Sequence, residues 1–199
     1  MADLSNISTL DLRNELNGRF YYEDSDIELA KKIVTNFSLA IKIEEWAGLY
    51  RFVINNKLTK IVEIGSLNHA SSLAFLTALK HLGGGRLICI DIKFLNKEFE
   101  YNEPNIQFIR IEKSSTDVLP ILSNNQDLSF IDGNHGTEQV ILDIKNSLNI
   151  VKPNGYLIMH DANYKRVYRG IKHMFGNIPV INLSKPSKFH GVSIYKKPD

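Results

Sequence analysis

The sequence predicts an α/β fold of the Rossmann-like, doubly wound kind, with a mostly parallel sheet of seven strands in the order 3-2-1-4-5-7-6 and helices on both faces. Short runs rich in β-branched residues alternate with segments of helical periodicity, which is typical of such a sheet. Several of these runs end in an acidic residue. The last two runs are joined by too few residues for a crossover helix, so they should form an antiparallel edge.

The composition is that of one ordinary globular unit. The chain has 199 residues, 43% of them apolar, and a formal net charge of +2. Such a balance gives no strong electrostatic field, so we expect neither nucleic acid nor a membrane as a partner. The single cysteine, Cys89, excludes a disulfide framework and a cysteine metal site. Charged residues near the start replace the apolar stretch of a secretion signal, which favours a cytoplasmic location.

Two helices are predicted before the first strand. Asp24 or Ser25 can cap a first helix that runs to about Asn36. A second helix, residues 38–54, has apolar residues at steps of three and four and should pack on the sheet. We therefore expect residues 1–37 to form a helical lead-in that could cover a substrate, in front of a main domain of residues 38–199.

The first strand, Lys60–Ile64, leads through Gly65 into a helix at residues 70–82 that stops at three consecutive glycines. Glycine allows a sharp turn and a close approach of the backbone to a ligand. In doubly wound folds, a strand, a glycine turn and a helix N-terminus together form a nucleotide-sized crevice. Taken alone, the same pattern is equally compatible with a simple tight turn.

Polar residues stand at the ends of the later strands. Because the carboxyl ends of parallel strands meet at one edge of a sheet, these residues should converge on one crevice. The predicted strands are 86–91, ending at Asp91; 105–111, before Ser114 and Ser115; 127–132, ending at Asp132; and 155–161, ending at Asp161. Helices at 137–150 and 164–175 follow the fourth and fifth strands, and closing strands are predicted at 178–183 and 191–195.

Three of these polar residues have a specific chemical interpretation. Asp91 stands at about the distance from Gly65 at which nucleotide-binding folds place a ribose-binding carboxylate, although it could also simply form a turn. Asp132 and Asp161 should end neighbouring strands about 5 Å apart. Two such carboxylates repel each other unless they share a proton or a cation, and a hard divalent ion would resolve the conflict. The alternative is that both aspartates cap local turns.

The order of these pieces resembles the class I S-adenosylmethionine-dependent methyltransferases. Residues 130–135, the segment 152–155 and the strand ending in His160 and Asp161 are similar to the branch that contains small-molecule O-methyltransferases of the catechol and macrocin type and cephalosporin-hydroxylase-like proteins. The resemblance covers roughly residues 40–197. It implies transfer of a methyl group from S-adenosylmethionine to a hydroxyl of a small-molecule acceptor, assisted by magnesium or manganese. A homodimer is compatible with it.

The resemblance also implies roles for single residues. His135 would be the catalytic base, with Asp132 beside it, and Asp132, Asp161 and His160 would hold the metal ion. The cofactor-binding candidates are Glu63, Gly65, Ser66, Asn68, Ser71, Asp91, Ile92, Ser114, Ser115, Asp132 and Gly133. Candidate walls for the acceptor are Tyr21, Tyr22, Tyr164 and His190.

The chain departs from the family pattern at the glycine turn. Leu67 and His69 stand where the family usually has further glycines, and Ala162 stands where the catechol-type enzymes have an amide ligand. Two alternatives therefore stay open. One is a hydroxylase-like metalloenzyme that holds a redox-active ion through His160 or His135. The other is a non-catalytic cofactor-binding module.

Overall fold

The computed structural model describes residues 19–34, 41–183 and 190–199. Within them, six strands form one sheet in the order β3-β2-β1-β4-β5-β6. Strands β1 to β5 are mutually parallel and β6 is antiparallel to β5, so the predicted order of the first five strands and the antiparallel edge are confirmed. The strands are β1 Lys60–Ile64, β2 Gly85–Asp91, β3 Ile106–Glu112, β4 Gln126–Ile131, β5 Val151–Met159 and β6 Ser193–Lys196.

Helices cover both faces of the sheet, as the doubly wound prediction requires. Side chains alternate along each strand, so Ile61 packs under one helical layer and Val62 under the other. The described helices are α1 Asp24–Val34, α2 Ile43–Asn55, α3 Ala70–His81, α4 Ser115–Val118 with the 3₁₀ turn Leu119–Ile121, α5 Thr137–Ile150 and α6 Lys165–Phe175. Helices α1 to α3 form the first layer, and α5 and α6 the second. None of these helices is long and apolar enough to cross a bilayer.

One predicted strand and one predicted boundary differ from the structure. The strand predicted at 178–183 is wrong, because only an isolated bridge joins Ile181 to Val192. Pro179 has no N–H to give to a ladder, and its carbonyl accepts the Ser193 hydroxyl at 2.9 Å instead. Strand β5 begins at Val151, four residues before the predicted start, because residues 152–155 continue it and pair there with the chain end. The predicted end of the first helix and start of the second fall within residues 35–40, outside the described residues.

The carboxyl ends of β1 and β4 meet at the glycine turn. The N–H of Gly65 donates to the carbonyl of Ile90 at 2.9 Å, and that of Asp132 donates to the carbonyl of Ile64 at 2.8 Å. The sheet hydrogen bonds thus continue one residue beyond the strands. A Cβ atom added to Gly65 would lie 2.2 Å from the carbonyl oxygen of Asp132, and Gly65 has a φ of +85°. Only glycine fits here, so the close approach of the two strand ends depends on it.

Replacing Gly65 with alanine should therefore cost more stability than the left-handed backbone alone explains. Gly83 is a matched control, because its φ is also +85° but a Cβ there would meet nothing within 4 Å. Gly83→Ala should lower the free energy of unfolding by about 1–2 kcal/mol. Gly65→Ala should lower it by about 1–3 kcal/mol more, from overpacking. Urea unfolding measures both, and equal losses would show that the strand ends separate at no cost.

Candidate active site

A cavity of about 500 Å³ lies at the carboxyl edge of the sheet. Its volume is in the range of small-molecule binding sites. The structure brings all the predicted cofactor-binding residues except Glu63 to its wall: Gly65, Ser66, Asn68, Ser71, Asp91, Ile92, Ser114, Ser115, Asp132 and Gly133. His135 and Asp161 also line it, whereas His160 does not.

The carboxylate of Asp91 is fixed beside the glycine turn. Its Oδ2 accepts the N–H of Leu67 at 2.8 Å, and its Oδ1 accepts the N–H of Lys93 at 3.0 Å. A carboxylate has about four acceptor positions, so lone pairs remain for hydroxyl groups in the cavity. The neighbouring Ile92 side chain is 78% exposed and gives the same wall an apolar surface.

Glu63 lies outside the cavity, under the first turn of α3. Its carboxyl group is fully buried and accepts the hydroxyls of Ser66 at 2.9 Å and of Ser71 and Ser72, and the thiol of Cys89 at 3.1 Å. Burial raises the pKa of Glu63, although these donors oppose the rise. Glu63 can therefore act on a ligand only through Ser66 and Ser71, which do line the cavity.

The two residues that replace family glycines both adopt left-handed backbone conformations. Leu67 has a φ of +43° and His69 a φ of +67°. The His69 ring is fully buried, with centroid distances of 5.1 Å to Phe94 and 4.5 Å to Phe99, and its Nδ1 lies 3.0 Å from the Ser72 hydroxyl. Burial lowers the pKa of His69 to about 4, so the ring is neutral at pH 7.

Two polar residues of α5 complete the wall beside Ser115, and sequence reasoning missed both. The Ser115 hydroxyl donates to Asp143 Oδ1 at 2.6 Å, and Gln139 Nε2 donates to the same oxygen at 3.0 Å. Burial raises the pKa of Asp143. Gln139 and Asp143 are four residues apart, directly before the inward-facing Val140 and Ile144. Because they lie next to this apolar face of the helix, the sequence pattern could have indicated that they lie near the protein interior.

The carboxylates of Asp132 and Asp161 do not contact each other directly but face histidine side chains. His160 Nδ1 lies 3.0 Å from Asp132 Oδ1. His135 Nε2 lies 3.2 Å from Asp161 Oδ2 and 3.8 Å from Asp132 Oδ1. The remaining oxygen of Asp161, Oδ1, accepts the backbone N–H of His190 at 2.6 Å. The repulsion between the two carboxylates is therefore offset by imidazole groups of this chain.

The second nitrogen of His160 also faces a carboxylate. Nε2 lies 3.2 Å from Oε2 of Glu45, and both side chains are almost completely buried. Oε1 of Glu45 accepts the N–H of Gly191 at 2.6 Å. Burial alone would lower the pKa of His160, but Asp132 and Glu45 together raise it well above its usual value.

Glu45 was missed in the sequence, although a signal was present. It lies four residues before Leu49 and eight before Val53, and all three are buried on α2. A carboxylate in such an apolar stripe needs a partner of opposite charge inside the protein. The partner, His160, could not be found from the sequence because it lies 115 residues away.

The structure brings the three predicted metal ligands together. One ligand atom each of Asp132, His160 and Asp161 lies within 4.8 Å of the others, close enough to share an ion. The second ring nitrogen of His160 faces the carboxylate of Glu45, a contact that metal-bound histidines usually make. The residues present therefore fit the divalent ion that the resemblance implies, and the hydroxylase-like alternative through His160 stays open.

The four residues predicted to form the wall of the acceptor site lie in two separate regions of the structure. Tyr164 and His190 lie near the carboxylate pair: the Tyr164 ring centroid is 5.8 Å from that of His135, and His190 Nδ1 is 3.3 Å from Glu45 Oε2. Tyr21 instead accepts the side-chain amide of Asn55 at 3.2 Å, at the opposite end of α2 from Glu45. Tyr22 contacts the carbonyl of Leu183 at 3.5 Å. None of these four residues lines the cavity.

Comparison with known proteins identifies a family segment within this fold. Residues 62–162, just over half of the chain, match a family described as a methyltransferase domain. No curated protein matched the sequence.

Solved structures with the same fold include several methyltransferases. The O-methyltransferase TomG of Streptomyces achromogenes, which is involved in tomaymycin synthesis and bound to S-adenosylmethionine, is 16% identical with a TM-score of 0.61, over 94% of this chain and 96% of that chain. The methyltransferase PaMTH1 of Podospora anserina, bound to S-adenosylhomocysteine, is 15% identical with a TM-score of 0.60, over 98% and 97%. MycE from the mycinamycin pathway, in complex with magnesium, S-adenosylhomocysteine and mycinamycin VI, is 14% identical with a TM-score of 0.55, over 87% and 55%. At these identities the likeness shows the shared fold.

The buried His69 should make the protein less stable in weak acid. Its pKa of about 4 in the fold lies below the usual 6.5, so the unfolded chain takes up the proton first. Stability from this residue is complete above about pH 6.5 and falls as the pH approaches 4, by about 2 kcal/mol between pH 7 and pH 5. Urea unfolding at both pH values should show a smaller drop in His69→Asn than in the wild type. The exposed-residue control His173→Asn should keep the full drop, and an equal drop in His69→Asn would contradict the assignment.

Proposed function

The chain belongs to the family of methyltransferase domains, and from this premise we propose that it transfers a methyl group from S-adenosylmethionine to a hydroxyl of a small molecule. It has the fold of the class I S-adenosylmethionine-dependent methyltransferases. The observation that carries the proposal is the meeting of Gly65, Asp91 and Asp132 at one cavity. These three residues come from the ends of three different strands, and the family fold places its methyl donor at this edge of the sheet.

The groups around the cavity fit an adenosyl cofactor. Asp91 offers carboxylate lone pairs to ribose hydroxyls, and Ile92 offers an apolar surface to a base. Ser114 and Gln139 offer a hydroxyl and an amide for the polar edge of the base. Asp132 keeps its negative charge, because His160 lowers its pKa against the effect of burial, and a negative wall suits a positively charged sulfur. Binding of S-adenosylmethionine by TomG and of S-adenosylhomocysteine by PaMTH1 is consistent with this proposal.

His135 is the residue best placed to receive the proton of the acceptor. S-adenosylmethionine supplies an electrophilic methyl group on a positively charged sulfur. The acceptor oxygen would form a bond to the methyl carbon as the carbon–sulfur bond breaks and S-adenosylhomocysteine leaves, and its hydroxyl proton would pass to an imidazole. A neutral His135 that donates its Nε2–H to Asp161, 3.2 Å away, carries its lone pair on Nδ1, so Asp161 selects the tautomer that can act as a base. The cavity walls then contribute by aligning the reacting groups.

As the resemblance implies, Asp132, His160 and Asp161 would hold a divalent ion, since one ligand atom of each lies within 4.8 Å of the others. Such an ion would make the acceptor hydroxyl easier to deprotonate. MycE holds magnesium. A second candidate function, a cofactor-binding module without catalysis, is favoured by the left-handed Leu67 and His69 in the turn. Calorimetry with S-adenosylmethionine and a turnover assay separate the two, because a module would bind the cofactor without ever consuming it.

Asp91 should contribute directly to cofactor affinity. Asp91→Asn removes the charge and should raise the Kd of S-adenosylmethionine by about 10- to 100-fold, the effect of losing hydrogen bonds to a charged group. Asp117→Asn is the control, because Asp117 is exposed and lies outside the cavity wall. Isothermal titration calorimetry measures both variants, with thermal melting to verify folding. An unchanged affinity in Asp91→Asn would remove this residue from the site.

The activity should fall in acid as His135 becomes protonated. Asp132 and then Asp161 raise the pKa of His135 above its usual 6.5, although burial opposes the effect. Because the base must be neutral, kcat/KM should rise with pH through an apparent pKa above 6.5. His135→Gln should lower kcat by about 10²- to 10⁴-fold and remove this acid limb.

Formation of S-adenosylhomocysteine with a panel of hydroxylated acceptors, such as catechol and simple glycosides, gives the pH profile. His173→Gln on the exposed face of α6 should leave the profile unchanged. An acid limb that persists in His135→Gln would assign the titration to another group.

A further inference from the structure

One oxygen of the buried Asp143 carboxyl group is left for the cavity. Asp143 is 1% exposed and forms part of the cavity wall. Its Oδ1 accepts the Ser115 hydroxyl at 2.6 Å and the Gln139 amide at 3.0 Å, and within the described part of the chain no donor contacts Oδ2. This second oxygen lies beside Gly133, another wall residue, because a Cβ atom added to Gly133 would be 3.7 Å from it.

A buried carboxylate with an unused oxygen indicates a ligand that donates a hydrogen bond. A carboxylate has about four acceptor positions, and burying it is costly while some of them stay empty. Burial raises the pKa of Asp143, although Ser115 and Gln139 oppose the rise. An N–H group of a ligand at Oδ2 would offset part of this cost. Asp143 is therefore placed to bind a ligand as well as to join α4 to α5.

Asp143 also fixes the direction of the hydrogen bonds around it. A carboxylate can only accept, so the hydrogen of the Ser115 hydroxyl and one hydrogen of the Gln139 amide both point to Oδ1. The Gln139 Nε2 also donates to Ser115 Oγ at 3.4 Å, which uses its second hydrogen. The groups that these three side chains have left for a ligand are Oδ2 of Asp143 and the amide oxygen of Gln139. Both are acceptors.

We propose that Asp143 sets the base specificity of the cavity, because it makes this part of the wall accept hydrogen bonds only. Such a wall takes a purine that carries an amino group on its polar edge, as adenine does, and rejects one with a carbonyl oxygen there, as in hypoxanthine. An amino group offers N–H donors to Asp143, whereas a carbonyl oxygen would face a carboxylate oxygen. That the ligand is a nucleoside at all rests on the proposed function.

The position of Asp143 suits the edge of a base whose ribose lies at Asp91. Asp91 ends β2, and the exposed Ile92 beside it offers an apolar surface to the flat face of a purine. Ser115, which binds Asp143, follows the neighbouring strand β3. All four residues line the same cavity. One wall therefore supplies an apolar surface and another supplies acceptors for the polar edge.

The first test compares two ligands on the wild-type protein. S-adenosylhomocysteine and S-inosylhomocysteine differ only at the base, where a carbonyl replaces the amino group. Isothermal titration calorimetry at pH 8 should give a Kd for S-inosylhomocysteine that is at least about 100-fold higher, because a site built for a donor rejects the analogue that lacks it. Equal affinity for the two compounds would overturn the proposal.

The second test changes the carboxylate. Asp143→Asn keeps the shape of the side chain, but its amide can turn an N–H toward a carbonyl oxygen of the base. The ratio of the two Kd values should therefore fall at least about tenfold. Asp117→Asn, at an exposed residue outside the cavity wall, should keep the wild-type ratio. If Asp143→Asn does not fold, Asp143→Ser takes its place, since a hydroxyl can both donate and accept.

The ratio of affinities separates a role in reading the base from a purely structural one. A structural defect in Asp143→Asn would weaken both compounds equally and leave the ratio unchanged, and so would a contact between Asp143 and the amino-acid end of the ligand. Either result would overturn this proposal and leave the proposed function standing. A wild-type protein that binds neither compound would overturn the proposed function, and this proposal with it.

Discussion

The buried ring of His160 holds together parts of the chain that are distant in sequence. It follows β5, one of its ring nitrogens faces Asp132 after β4, and the other faces Glu45 on α2, which in turn accepts the backbone N–H of Gly191. Removing one member leaves a buried charge without a partner, which costs about 3–5 kcal/mol in comparable pairs. The shape of the candidate active site and the stability of the fold therefore depend on the same contacts.

The turn after β1 has a backbone conformation typical of glycine, although two of its residues are not glycine. Gly65, Leu67 and His69 all have positive φ, at +85°, +43° and +67°. The path is therefore one that glycine adopts without strain, and the two non-glycine residues each cost about 1–2 kcal/mol. Local contacts offset that cost: the Leu67 N–H donates to Asp91, and the His69 ring stacks between Phe94 and Phe99. The turn remains in place beside the cavity because of these contacts.

Much of this arrangement could be predicted because it follows from local periodicity. Asp91 and Asp132 were found from the ends of apolar runs, since parallel strands end at one edge. The burial of Glu63 follows from alternation along β1, because Glu63 and Ile61 both point to the side of α3. Glu45 and His160 could not be paired from the sequence, because nothing local relates residues 115 positions apart. The strand predicted at 178–183 is wrong, because apolar periodicity takes no account of the N–H that Pro179 lacks.

The cavity wall and the contacts behind it come from different parts of the chain. Almost all of the wall lies within residues 62–162, the segment that matches the family, and it depends on backbone turns and strand ends. Glu45, which faces His160 behind the wall, and Gly191, which binds Glu45, lie outside that segment. A shared fold is therefore enough to form the cavity, whereas the contacts behind it can differ between chains that share the fold, and with them the chemistry of the site.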